Sequence, residues 1–184
     1  MALGPKVQKP SMFTAAAGFK FKTPAPTGPS GVRVEHRIGI QAPAETIWEI
    51  LYDLEHWPQW NPLYTEARGM IRIGSQLDLV MQLEGEARRI APVILEWVPN
   101  DQIHWRHKLM GGLVSTTRFL ELEQLDTAST IFSNGELLGG VMGPNYARRI
   151  GRQLYRGFQA MNEALKARAE EAWRAQGGAP TSGS

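Results

Sequence analysis

The chain of 184 residues is 42% hydrophobic and 21% charged, a length and composition suited to one domain with a substantial core. It has no cysteine, which excludes a disulfide framework, a thiolate metal site and a cysteine nucleophile. The formal charge of +2 and pI near 9.0 hint at nucleic acid, but the first 31 residues hold Lys6, Lys9, Lys20 and Lys22 and no acid. The remaining sixteen basic and eighteen acidic residues leave a body of net charge −2, so no nucleic-acid partner is expected.

Residues 1–31 are rich in Pro, Gly and Ala and cannot bury enough apolar surface to offset their ordering entropy, so they read as a disordered basic tail. Phe13, Phe19 and Phe21 make a weak docking segment the alternative to an inert extension. The apolar patch from Ala15 to Phe19 is too short for a secretory segment, no apolar run is long enough to span a bilayer, and the chain reads as cytoplasmic. From residue 32 to residue 174 a single folded domain is expected, followed by a flexible tail over 175–184.

Val32 to Ile40 alternates, with Val34, His36, Ile38 and Ile40 on one face, and predicts a strand. Pro43 suits a first helical turn, and Ile47, Ile50, Leu51 and Leu54 recur at helical spacing. The run Asp53-Leu54-Glu55-His56-Trp57-Pro58-Gln59-Trp60-Asn61-Pro62 then ends the helix with two tryptophans and two prolines in six residues. Trp57 and Asn61, each before a proline, are expected to be extended, with the tryptophans capping or plugging a core.

Six further strands fit the alternation between turn residues: Leu63 to Arg68, Gln76 to Leu83, Glu86 to Val98, Ile103 to Leu109, Leu113 to Leu122 and Thr130 to Leu138. Gly85 and Pro99-Asn100-Asp101 supply turns. A long helix from about Pro144 to about Arg174 carries Ala147, Ile150, Leu154, Phe158, Met161 and Leu165 on one stripe. Arg148, Arg149, Arg152 and Arg156 lie mostly off it, as a solvated flank or a phosphate-binding patch. Gly151 and Gly157 weaken the helix and imply close approach of another backbone or room for a ligand.

In this order of elements the chain resembles the SRPBCC superfamily, the START-like helix-grip fold shared by the birch pollen allergen, abscisic acid receptors and polyketide cyclase/dehydrase-like proteins. The likeness rests on Ala42-Pro43-Ala44-Glu45-Thr46-Ile47-Trp48, Leu51, Asp53, Trp57, Trp60-Asn61-Pro62, Gly74, Trp97 through Pro99, Trp105, Glu136 and Gly139. It spans roughly residues 32 to 170. The resemblance implies an α+β fold in which a curved seven-stranded antiparallel sheet wraps around the long C-terminal helix and leaves an internal cavity for a hydrophobic or amphipathic small molecule, such as a lipid, a polyketide or an aromatic.

Alternation then selects inward polar residues. His36 shares a face with Val34 and Ile38, His107 with Ile103, Trp105 and Leu109, Arg118 with Thr116 and Leu120, and Asn134 and Glu136 with Phe132. With Trp60, Leu79, Met81, Leu154 and Phe158 these residues make up the expected ligand-binding set. Arg118 and Glu136 on adjacent strands are costly to desolvate unless they pair. Either they form a buried ion pair completed by Asn134, or Glu136 fixes the guanidinium plane while Arg118 holds a carboxylate, phenolate or enolate.

His56 in the plug reads as a surface residue, and only one of His104 and His107 can face inward. No histidine pair at helical spacing, acidic cluster, phosphate loop or nucleophile elbow occurs, so neither metal nor cofactor is expected. Gly111-Gly112 and Gly139-Gly140 read as gates at loop ends. The leading function is apolar ligand binding. The alternatives are a cyclase/aromatase, with Arg118 stabilising an enolate while His107 or Glu136 moves protons, and a protein interaction module using the tail or the outer sheet face.

Overall fold

The computed structural model describes residues 31–178. The basic tail with its three phenylalanines and the final residues 179–184 lie outside them. Eight strands form two antiparallel sheets. The larger has the order β1-β8-β7-β6-β5 and the smaller the order β2-β3-β4. Strands β1 (Val32–Ile40), β2 (Tyr64–Arg68), β3 (Asp78–Leu83), β4 (Glu86–Ile90), β5 (Val93–Val98), β6 (Gln102–Leu109), β7 (Val114–Asp126) and β8 (Ser129–Gly139) accompany helices α1 (Ala44–Tyr52) and α2 (Gly143–Ala175). This is the helix-grip arrangement, with α2 laid across the concave face and its stripe from Ala147 through Ala169 buried.

The count of eight strands rather than seven corrects the expectation for Glu86 to Val98. Proline has no N–H to give a ladder, and the chain leaves the small sheet at Ala91-Pro92. The segment before β3 then catches β5. Leu77 N donates to the Pro92 carbonyl, Ile94 N to that of Ser75, and Gly74 N to that of Ile94, each at 2.9 Å. One proline thus divides the strand and lets the chain pass between sheets. At the other end of β4, Glu84 and Gly85 both have positive φ, the requirement of the two-residue hairpin turn that matches strand twist.

The Trp-Pro segment is also corrected. Trp57 is not extended but sits inside a 3-10 helix over Leu54–Gln59. It is fully buried, and its indole N–H donates to the Leu51 carbonyl at 3.1 Å. That anchorage overrides the extended preference of a residue before proline. Asn61 then fixes the entry into β2, its side-chain oxygen accepting from the backbone N–H of Leu63 (3.0 Å) and Tyr64 (3.1 Å). The two glycines of α2 differ. A Cβ on Gly157 would lie 2.8 Å from Leu63 Cδ1, whereas at Gly151 it would meet Val34 at an ordinary 3.6 Å.

The plug therefore splits into a structural tryptophan and a peripheral one, since Trp60 is only half-buried and its indole nitrogen has no partner among the described residues. Trp57→Ala is expected to cost about 3–5 kcal/mol in urea denaturation, the range for a buried aromatic. Trp60→Ala is expected to cost clearly less, and equal losses would contradict this division.

Candidate functional site

A cavity of about 50 Å³ lies where the two sheets and α2 converge. Its lining takes Tyr64 from β2, Met81 from β3, Trp105 and His107 from β6, Arg118 from β7, Glu136 from β8 and Leu154 from α2. Six of the eleven sequence-selected residues meet here: Met81, Trp105, His107, Arg118, Glu136 and Leu154. The other five lie elsewhere. Leu79 is wholly buried in the core, and Trp60 borders a shallow surface depression with Ile50 and His56. Phe158, Asn134 and His36 lie off the cavity, packed against or bonded to its neighbours.

Arg118 is 1% exposed, among the most buried large side chains of the protein. Its inward direction follows from an unbroken register, Ser115↔Gly139 through Gln124↔Thr130, with Arg118 directly opposite Glu136. Its guanidinium carbon sits 3.8 Å from the Phe158 ring centroid and 5.8 Å from that of Tyr64. A desolvated contact over an aromatic face is worth about 2 kcal/mol. Among the described residues, none of its three nitrogens makes a hydrogen bond of ordinary geometry, the Tyr64 hydroxyl interacting with the guanidinium without forming one. The expected ion pair with Glu136 is not made, so Glu136 does not fix the guanidinium plane.

Asn134 does not complete the bonding of Arg118 either. Its amide nitrogen donates to Asn162 Oδ1 at 2.7 Å, while the Asn162 amide nitrogen donates to the His36 carbonyl at 3.0 Å and lies 2.9 Å from His36 Nδ1. His36 also packs edge-on against Tyr155 at 5.5 Å. These contacts tie β8, α2 and β1 together. The polar inward residues thus divide into a strut that holds the helix on the sheet and a cavity group around Arg118.

Sequence reasoning missed Tyr64 and Tyr146. Tyr64, 1% exposed, stands between Trp57 (5.4 Å) and Trp105 (6.2 Å), with its phenol oxygen within interaction distance of Arg118. Burial pushes its phenol pKa up, opposed by the positive charge of Arg118 and by the approach of its guanidinium to the phenol oxygen, and reinforced by Glu136. Tyr146, at the end of the first turn of α2, is raised by burial and pulled back by Arg88, which is exposed at the rim and bonded to Glu86 at 2.7 Å. For Tyr64 a signal was present: it follows the asparagine whose side chain places it. For Tyr146 a helix-stripe reading passes over the residue next to Ala147.

The histidines sort by face. His107 lines the cavity, and Thr116 Oγ1 donates to its carbonyl at 3.4 Å. His104 faces the opposite side yet is 2% exposed, with Nε2 3.0 Å from Glu121 and Nδ1 3.4 Å from Glu96. It is covered by Phe119, which fits because Gly135 opposite lacks a Cβ; one would lie 2.2 Å from Phe119 Cζ. His56 pairs with Asp53 at 2.6 Å on the surface.

A sheet gripping a long helix around a cavity is the START-like helix-grip fold. A family described as polyketide cyclase / dehydrase and lipid transport matches residues 31–170, and the chain belongs to it. Among solved structures, the Zhui aromatase/cyclase from a Streptomyces species is 22% identical with a TM-score of 0.67, covering 82% of this chain and 100% of its own. A START superfamily protein from Mycobacterium smegmatis is 23% identical with a TM-score of 0.59, covering 76% and 97%. A hypothetical protein from Helicobacter pylori is 14% identical with a TM-score of 0.64, covering 86% and 99%. No curated protein matches the chain. No helix among the described residues is long and apolar enough to cross a membrane.

The raised phenol pKa of Tyr64 has a stability consequence with a definite sign. Its contribution is whole below the unfolded pKa of about 10 and is lost as pH rises through the higher folded value. Urea midpoints of the native chain are expected to fall as pH rises above about 10, and those of Tyr64→Phe to fall less. Parallel declines in the two proteins would contradict the buried phenol.

Proposed function

We propose that the cavity binds an amphipathic small molecule, an apolar or aromatic body carrying a carboxylate, phenolate or enolate oxygen, with that oxygen on Arg118. The observation that carries this reading is the guanidinium, buried to 1% exposure with none of its nitrogens hydrogen-bonded among the described residues. Desolvating a cation costs several kcal/mol unless a partner supplies the lost interactions. An aromatic contact offsets part of that cost, and a ligand oxyanion would supply charge-assisted hydrogen bonds. Trp105, Leu154 and Met81 offer apolar walls for the body of the ligand.

At about 50 Å³ the cavity is well below the roughly 300–1,000 Å³ of drug-sized sites. Occupation therefore requires the partly exposed side chains of the rim, Met81, Leu109 and Tyr146, to move outward. A second reading is a cyclase-type enzyme. It is favoured by the meeting of His107 and Glu136, two proton-carrying groups, with Arg118 in one cavity. On that reading Arg118 stabilises an enolate and one of the two groups moves the proton.

Calorimetric titration with 2-naphthoate and neutral 2-naphthamide tests the binding reading. The native chain is expected to prefer the carboxylate by about 10- to 100-fold, the worth of a hydrogen bond to a charged group. Arg118→Met should abolish that preference and leave stability unchanged or raised, because a buried cation is replaced by an apolar chain. Equal affinities for the two compounds in the native chain would contradict the proposal.

A further inference from the structure

The protein has an apolar patch beside the cavity that its core does not explain. Val141 is 86% exposed, Met110 53%, Leu113 51% and Met142 37%. These four side chains come from the β6–β7 and β8–α2 loops, which are bound to each other. Met142 N donates to the Leu113 carbonyl at 3.0 Å, Leu113 N to that of Met110 at 3.3 Å, and a Cβ on Gly140 would lie 2.5 Å from the Leu113 oxygen. The loops therefore present their apolar residues together. They also adjoin the cavity, since Leu109 and Tyr146 line it and Tyr146 N bonds to the Met142 carbonyl at 2.9 Å.

Cations predominate around this patch, although Glu86 of β4 lies within electrostatic reach of Arg149. No acidic residue occurs between Gln102 and Leu120, or between Glu136 and Glu163. Exposed Lys108 stands two residues before Met110, and exposed Arg148 and Arg149 occupy the second turn of α2. None of the three forms an ion pair among the described residues, although Arg156 further along pairs with Glu84 at 3.0 Å. The helix adds its own positive end here, with no side-chain cap at Met142 and a proline in the first turn.

From this juxtaposition we infer that the joined loops dock on an anionic lipid surface, with Val141, Met110 and Leu113 entering the interface and Lys108, Arg148 and Arg149 meeting the headgroups. Exposed apolar side chains flanked by cations fit a bilayer interface, where burial of apolar area and attraction to anionic lipid add. A protein partner would favour a recessed groove, and these residues are exposed on loops. Docking there would set the cavity rim toward the membrane. The inference is independent of what the cavity holds, so failure of naphthoate binding would leave it intact.

The test is flotation of the full chain with vesicles of phosphatidylcholine alone and of phosphatidylcholine with phosphatidylglycerol. Binding is expected only to the anionic vesicles and should weaken with salt. Lys108→Gln/Arg148→Gln/Arg149→Gln should weaken it about a hundredfold, each cation near the leaflet being worth a factor of about five. Met110→Asp/Val141→Asp should remove it. These positions are exposed, and unchanged thermal unfolding of the variants separates loss of docking from loss of fold. Because the lysines of residues 1–31 can also attract anionic lipid, vesicle binding that survives Met110→Asp/Val141→Asp unchanged overturns the inference. So does absence of vesicle binding by the native chain, including where it is retained on an immobilised acidic protein instead.

Discussion

A single guanidinium, taken out of water and set against two aromatic faces, organises the interior of this protein. Arg118 comes from a middle strand of the larger sheet, Tyr64 from the smaller sheet and Phe158 from the long helix, so one side chain touches all three layers. A cation in that position is tolerable only if the surroundings hold its aromatic neighbours in place. The rest of the fold can be understood as meeting that requirement.

The Trp-Pro plug meets it on one side. Trp57 is tied to the end of α1, Asn61 caps two backbone amides at the entry to β2, and Tyr64 is thereby fixed between Trp57 and Trp105 with its phenol oxygen within interaction distance of Arg118. On the other side the Asn134–Asn162–His36 strut fixes the rotation of α2 and with it Phe158, one turn earlier on the same helix. Polar residues at the centre of the sheet thus serve two ends. The amides bond to one another and hold elements together, whereas Arg118 is left with unused hydrogen-bonding capacity facing a cavity.

Strict alternation made much of this legible. The inward placement of Thr116, Arg118 and Leu120 could be read because the β7–β8 register runs without a bulge through them, and the order of elements around the Trp-Pro run pointed to the helix-grip fold. Alternation assigns a face but not a neighbour. It placed Arg118 beside Glu136 and could not reveal that the guanidinium turns to Phe158, a residue forty positions away that stripe spacing offered as a ligand contact and not as the partner of Arg118. It also put His36 and Asn134 on the inward face without showing that α2 crosses them there and excludes them from the cavity. Pro92 carried the signal for an eighth strand, because a residue without an N–H cannot continue a paired strand. The burial of His104 on the outer face depends on Gly135 making room for Phe119, a long-range fit that no local pattern encodes.

Solvent exposure usually decides which charged groups meet ligands, and here that expectation is inverted. Arg88 and the helix arginines face water, while the cation with free donors is the one buried deepest. The central claim is that those donors are held for an oxygen that arrives with a ligand. The most direct measurement is NMR of the Arg118 guanidinium in protein labelled with nitrogen-15 arginine, assigned through Arg118→Lys and recorded before and after addition of 2-naphthoate. The account predicts a downfield shift of the Arg118 Nε–H signal and slowed proton exchange on binding. Saturable binding of the carboxylate that leaves this signal unmoved would contradict it.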